Sequence, residues 1–141
     1  MALTARLYLA DKSALARFGR PEVASVLQPL FATDVITTCG MVDLEVLYSA
    51  RSPDDYERLR ADQRSLRRLF ATEDMYERAL DVQRTLARTS RHRGASIPDL
   101  IVAACAETND ATLLHYDADF DLIAGVTGQA TQWVVPRGSI D

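Results

Sequence analysis

The sequence predicts one α/β domain built on a mainly parallel sheet with helices on both faces. Short runs rich in apolar and β-branched residues alternate with stretches of helical periodicity, the pattern of βαβ units. The chain has 141 residues, a common size for one domain, and residues 1–141 are expected to form it without a linker. A hydrophobic fraction of 48% and a charged fraction of 26% suit a protein with an ordinary buried core and exclude intrinsic disorder.

Arg6-Leu7-Tyr8-Leu9-Ala10-Asp11 reads as the first strand, with Asp11 at its carboxyl end. Ser13 is expected to open a helical stretch through Ala14, Leu15, Ala16 and Phe18, which Gly19 stops. Pro21 suits the first turn of a helix running toward Leu30, and Asp34-Val35-Ile36-Thr37-Thr38 has the β-branched content of a second strand. From Cys39 to Ala50 the pattern is helical and apolar nearly all round. A polar helix follows from about Pro53 to Leu69, carrying Arg58, Arg60, Arg64, Arg67 and Arg68, so the two form a helical hairpin.

A further helix is expected from Met75 to about Ser90, with Arg91-His92-Arg93-Gly94 supplying the basic residues and the glycine that a helix end prefers. Ser96-Ile97-Pro98-Asp99 starts another through Ile101, Val102 and Cys105. Thr112-Leu113-Leu114-His115-Tyr116 is a strand, Phe120 to Ala124 a short helix, and Thr131-Gln132-Trp133-Val134-Val135 the last strand.

No apolar run approaches the roughly 18 residues of a membrane span, and the first residues lack the apolar core of a signal peptide, so a cytoplasmic protein is expected. Cys39 and Cys105 lack CxxC spacing and histidine neighbours, which argues against a zinc site and an essential disulfide. The net charge of −4 is uneven. Eleven of the 16 basic residues fall between Arg51 and Arg93 against eight acids, leaving that segment +3 and the remainder −7. Such a segment is either a solvated helical face or a track for phosphates beside a metal-holding cluster.

In an open α/β sheet, ligands bind beyond the carboxyl ends of the strands, which singles out Asp11, Asp117 and Asp119. Each of them alone also suits a cap or a turn. Glu45 falls on the helical face of Met41, Val42, Tyr48 and Ser49; it is either a site carboxylate or a partly exposed one paired with a residue such as Arg51. Asp43 lies on the other side with Leu47 and Ala50. Asp99, three residues after Ser96, matches capping-box spacing as well as a site. Taken together, four acids on separate elements imply a divalent cation with hard oxygen ligands, which lets clustered carboxylates stay ionised and suits phosphodiester cleavage.

Four segments in order carry a family resemblance: Leu9-Ala10-Asp11-Lys12-Ser13-Ala14-Leu15, Leu44-Glu45-Val46-Leu47-Tyr48-Ser49-Ala50, Ile97-Pro98-Asp99-Leu100-Ile101-Val102-Ala103-Ala104, and Leu114-His115-Tyr116-Asp117-Ala118-Asp119-Phe120-Asp121. Across nearly the whole chain this order resembles the PIN-domain ribonucleases, specifically VapC-type toxins. The resemblance implies a three-layer α/β/α sandwich and a Mg²⁺- or Mn²⁺-dependent endoribonuclease. Asp11, Glu45, Asp99 and Asp117 become its catalytic and metal-binding acids, Asp119 a fifth ligand or supporting group, and Ser13 a supporting hydroxyl.

The resemblance also implies a homodimer and a VapB-like antitoxin, with Val46, Leu47, Leu59 and Leu66 of the hairpin as apolar contacts for its tail. Two residues depart from the family pattern. Lys12, the only lysine, stands where threonine is common, and either points to solvent or leans toward a carboxylate. His115 stands where a small hydroxyl residue is frequent, and is either a hydrogen-bonded core histidine or a metal ligand. A catalytically inactive RNA- or protein-binding module is the alternative, against which the four acids count. A receiver-like or phosphatase domain lacks support, because no DxDxT segment follows the first strand and no lysine occurs late in the chain.

Overall fold

A computed structural model describes residues 6–141. Five parallel strands, β1 (Tyr8–Ala10), β2 (Ile36–Thr38), β3 (Arg67–Arg68), β4 (Thr112–His115) and β5 (Thr131–Trp133), form one sheet in the order β3-β2-β1-β4-β5. Around it lie α1 (Lys12–Leu15), α2 (Pro21–Ala32), α3 (Gly40–Tyr48), α4 (Pro53–Arg64), α5 (Glu73–Ala87), α6 (Ile97–Thr108) and α7 (Asp119–Thr127).

Alternation along the central strands divides the core between two faces. Leu9 and Leu113 point into a cluster with residues of α3, α5, α6 and α7. Ala10, Ile36 and Leu114 point the other way, against α1, α2 and the C-terminal Val134, Val135 and Ile140. The result is the α/β/α sandwich expected. Cys39 and Cys105 are free thiols buried in the first cluster. Among the described residues no helix is long and apolar enough to cross a membrane.

Three expectations are corrected. The polar helix ends at Arg64 rather than Leu69, and the chain straightens into β3, where Thr37 pairs with Arg67 and Thr38 with Arg68. The first helix is capped by Asp11, whose side chain accepts from the Ser13 amide, and not opened by Ser13 itself. Helix α5 stops at Ala87, and Ser90 (φ 58°), not Gly94, takes the left-handed turn. Gly94 serves a close approach instead, since a Cβ there would meet Leu122 Cδ2 at 2.9 Å.

The sheet order matters for function. From β1 the chain moves outward through β2 and β3 on one side, then returns to place β4 on the other. The carboxyl ends of β1 and β4 therefore flank a topological switch point, where open α/β sheets form a crevice.

Candidate active site

Each acid reaches that crevice by a different local device. Asp11 follows β1 directly and, at 3% exposed, is buried as the cap of α1. Its Oδ2 accepts from Ser13 N at 2.9 Å and Ser13 Oγ at 2.6 Å. Ser13 Oγ also accepts from Tyr116 N at 2.9 Å, so one hydroxyl ties the end of β1 to the end of β4. Asp99 sits in the first turn of α6, whose N-terminus is capped by Ser96 Oγ, which accepts from Asp99 N at 3.2 Å. Its side chain is thereby left for the crevice.

Asp117 lies in the turn from β4 to α7, and Asp119 is the first residue of α7. Asp117 Oδ1 accepts from Asp119 N at 2.9 Å, and Asp119 Oδ2 accepts from Ser96 N at 3.2 Å, joining the starts of α6 and α7. Oxygens of Asp99, Asp117 and Asp119 all lie within 4.8 Å of one another. Asp11 and Glu45 line the same cavity of about 340 Å³, together with Lys12, Arg17 and Tyr116.

Electrostatics follow from this crowding. Burial first, then the Asp119 carboxyl beside it and the charges of Asp11 and Asp117, push the Asp99 carboxyl up to about 8. Burial also raises Asp11, with the charge of Asp117 adding and the Ser13 hydrogen bonds opposing. Glu45, half-buried, is raised by burial and by Asp11, while Lys12 opposes. Lys12 lines the cavity with the acids but, among the described residues, makes no ion pair with any of them. Among the described residues Glu45 makes no ion pair with Arg51.

The donor set fits a hard divalent cation. It consists of carboxylate oxygens, and two of them, Asp11 Oδ1 and Glu45 Oε1, are buried without any hydrogen-bond partner. Buried polar atoms are seldom left so, and a cation satisfies several at once while relieving their repulsion.

Asp43 belongs elsewhere. It is buried on the opposite side of α3 and bound by Thr38 Oγ1, Gln63 Nε2 and Arg68. His115 is a buried core residue whose Nδ1 accepts from Asp117 N at 3.2 Å, and burial lowers its pKa. Arg17, not singled out in the sequence, is laid over the Tyr116 ring at 4.6 Å and bonded to Ser13 O and Asp141 O. Its partners come from distant segments, so no local pattern marks it.

Comparison with known proteins gives the chain's family. A family model described as PIN domain matches residues 8–126. Ribonuclease VapC51 of Mycobacterium tuberculosis is 45% identical over 134 residues, covering 95% of this chain and 97% of the relative. The chain belongs to the VapC-type PIN-domain family. Ribonuclease VapC18 of the same organism is 40% identical over 136 residues, 95% of this PIN domain protein and 99% of the relative. The fold of this VapC-type chain is also that of a structure of VapBC-1 from nontypeable Haemophilus influenzae, with a TM-score of 0.75 at 15% identity over 91% of this chain and 98% of that one.

Proposed function

We propose that this chain is a metal-dependent endoribonuclease, the toxin of a VapBC-type toxin–antitoxin pair, acting as one domain over residues 1–141. The observation that carries the reading is the convergence of Asp99, Asp117 and Asp119 within 4.8 Å, in a chain whose relatives bear the name Ribonuclease VapC. Asp11, Glu45, Asp99, Asp117 and Asp119 would hold Mg²⁺ or Mn²⁺. Such a cation, when bound, supplies Lewis acidity toward a phosphodiester and lowers the pKa of water.

The other tasks fall to side chains of the cavity. Ser13 holds Asp11 by its Oδ2 and leaves Oδ1 free for the site. Glu45 Oε1, also buried without a partner, offers the cation a second bare oxygen beside Asp11 Oδ1. Lys12 and Arg17 line the cavity and attract the phosphate. Hydrolysis by water in this arrangement leaves a 5′-phosphate and a 3′-hydroxyl.

A VapB-like antitoxin is the partner. A cavity of about 440 Å³ between α1, α2 and the α3–α4 hairpin is lined by Leu15, Phe18, Phe31, Val46, Leu59 and Leu66, an apolar seat for one segment of chain. Leu47, expected there, lies instead on the opposite side of α3, facing Tyr56 and Arg60. Lys12 and Ala16 line both this cavity and the acidic one, so a segment bound in the groove ends beside the carboxylates. The exposed apolar side chains Leu44, Tyr48 and Ile97 supply a surface for a homodimer.

The test is cleavage of RNA with Mn²⁺ or Mg²⁺, with EDTA, and with Asp99→Asn, followed by mapping of the new ends. Cleavage that survives both EDTA and the substitution overturns the mechanism. Growth arrest on expression, relieved by co-expressed antitoxin, tests the toxin role.

A further inference from the structure

His115 ends β4 and is fully buried. Because Nδ1 accepts from the Asp117 amide, the neutral ring carries its proton on Nε2, which is buried and has no partner. A buried donor left unmatched costs free energy, so simple core filling does not account for a histidine here. The ring's hydrogen bond is instead made with the backbone of an acid-bearing turn.

That turn is held by a series of side-chain acceptors. Tyr116 N donates to Ser13 Oγ at 2.9 Å, Asp117 N to His115 Nδ1 at 3.2 Å, and Asp119 N to Asp117 Oδ1 at 2.9 Å. The ring itself is fixed between Phe120, with centroids 5.0 Å apart, and Trp133, at 4.9 Å. A rigidly seated acceptor thus sets the peptide before Asp117, and the Asp117 carboxylate in turn sets the peptide of Asp119.

We infer that His115 is a positioning residue, which fixes Asp117 and, through it, Asp119 for cation binding by way of Nδ1. The inference rests on the reading that these two acids hold a divalent cation. It separates cleanly from a packing role. Asparagine can accept a hydrogen bond from the amide two residues on, in the manner of an Asx turn, but leaves the aromatic seat underfilled. Leucine fills the seat and accepts nothing.

The experiment compares wild type, His115→Asn, His115→Leu and Asp117→Asn by Mn²⁺ calorimetry, by thermal melting, and by hydrogen exchange of the Asp117 amide without cation. For His115→Leu we expect near-wild-type melting, Mn²⁺ affinity weaker by about 10- to 100-fold, the usual effect of losing a group that orients a ligand, and faster Asp117 exchange. His115→Asn should melt lower yet keep affinity and amide protection. The proposal is overturned if Mn²⁺ affinity follows melting temperature, with leucine intact and asparagine impaired, or if Asp117 exchange in His115→Leu is unchanged. Unaltered Mn²⁺ affinity in Asp117→Asn would remove the metal reading of that acid and the inferred link to cation binding, while the exchange result still reports separately whether His115 fixes the turn.

Discussion

Asp43 and Glu45 lie two residues apart on α3, face opposite ways, and meet opposite surroundings. Asp43, 6% exposed, accepts from Thr38 Oγ1 at 2.7 Å and Gln63 Nε2 at 2.9 Å and pairs with Arg68. Glu45 turns toward Asp11 and Asp117, and its buried Oε1 has no partner. Burying a carboxylate costs free energy that hydrogen bonds and opposite charge offset. On the Asp43 side the offset comes from the protein, and the acid locks α3 to β2, α4 and β3. On the Glu45 side the protein withholds it, which leaves an oxygen that the proposed cation would satisfy.

Substituting an acid of each kind tests that contrast, and the largest effect is expected at Asp99. Asp99→Asn should lower cleavage by at least about a hundredfold, since even groups that merely orient a metal ligand are worth 10- to 100-fold. The same change should raise the melting temperature of the cation-free protein at pH 8, because it removes a crowded, buried acid. Asp43→Ala should do the reverse. It takes the short acceptor from the buried Thr38 hydroxyl, one of two acceptors from Gln63 Nε2 and the partner from Arg68, costing about 3 kcal/mol in urea unfolding, while cleavage per folded molecule changes far less than with Asp99→Asn. A destabilised Asp99→Asn with active-site chemistry intact would erase the distinction.

Proton linkage offers a gentler version of the same comparison. An acid unfolded at 3.8 and held at about 8 in the native state leaves the folded chain with more bound protons between those values. Stability of the cation-free protein therefore falls as pH rises toward 8, with a slope of up to about 1.4 kcal/mol per pH unit for one proton. Below about 6.5 the trend is opposed, because burial lowers the pKa of His115 and the unfolded chain becomes the better proton acceptor there. Melting curves from pH 6.5 to 8 should decline in wild type and flatten in Asp99→Asn. Binding of Mn²⁺ in that range should release a proton, read by calorimetry in two buffers.

Much of this was legible in the sequence because its signals are local. Short apolar and β-branched runs and helical patterns located β1, β2, β4, β5 and α2 to α7, and strand-end placement drew attention to Asp11, Asp117 and Asp119. β3 was not legible. Arg67 and Arg68 are polar and exposed, and only pairing with Thr37 and Thr38 makes them a strand. The burial of Asp43 was equally hidden, since its partners Gln63 and Arg68 come from α4 and β3. Spacing suggested a capping role for Asp99, whereas the structure gives the cap to Ser96 and leaves the Asp99 carboxylate to the cluster.

The smallest predicted effect falls on Ser13, where the two kinds of acid environment overlap. Asp11 is half compensated, with Oδ2 bonded to Ser13 and Oδ1 bare. Ser13→Ala removes the hydroxyl bond at 2.6 Å and the acceptor for Tyr116 N, a loss of about 1 to 2 kcal/mol. It keeps the backbone bond from residue 13 and every carboxylate. Since that hydroxyl opposes the burial-driven rise of Asp11, its loss moves the Asp11 pKa further up. The acid limb of the Mn²⁺ cleavage profile should then shift to higher pH with the plateau only modestly reduced. An unshifted limb would mean that Asp11 is held by its backbone cap alone, and that Ser13 contributes stability without tuning the site.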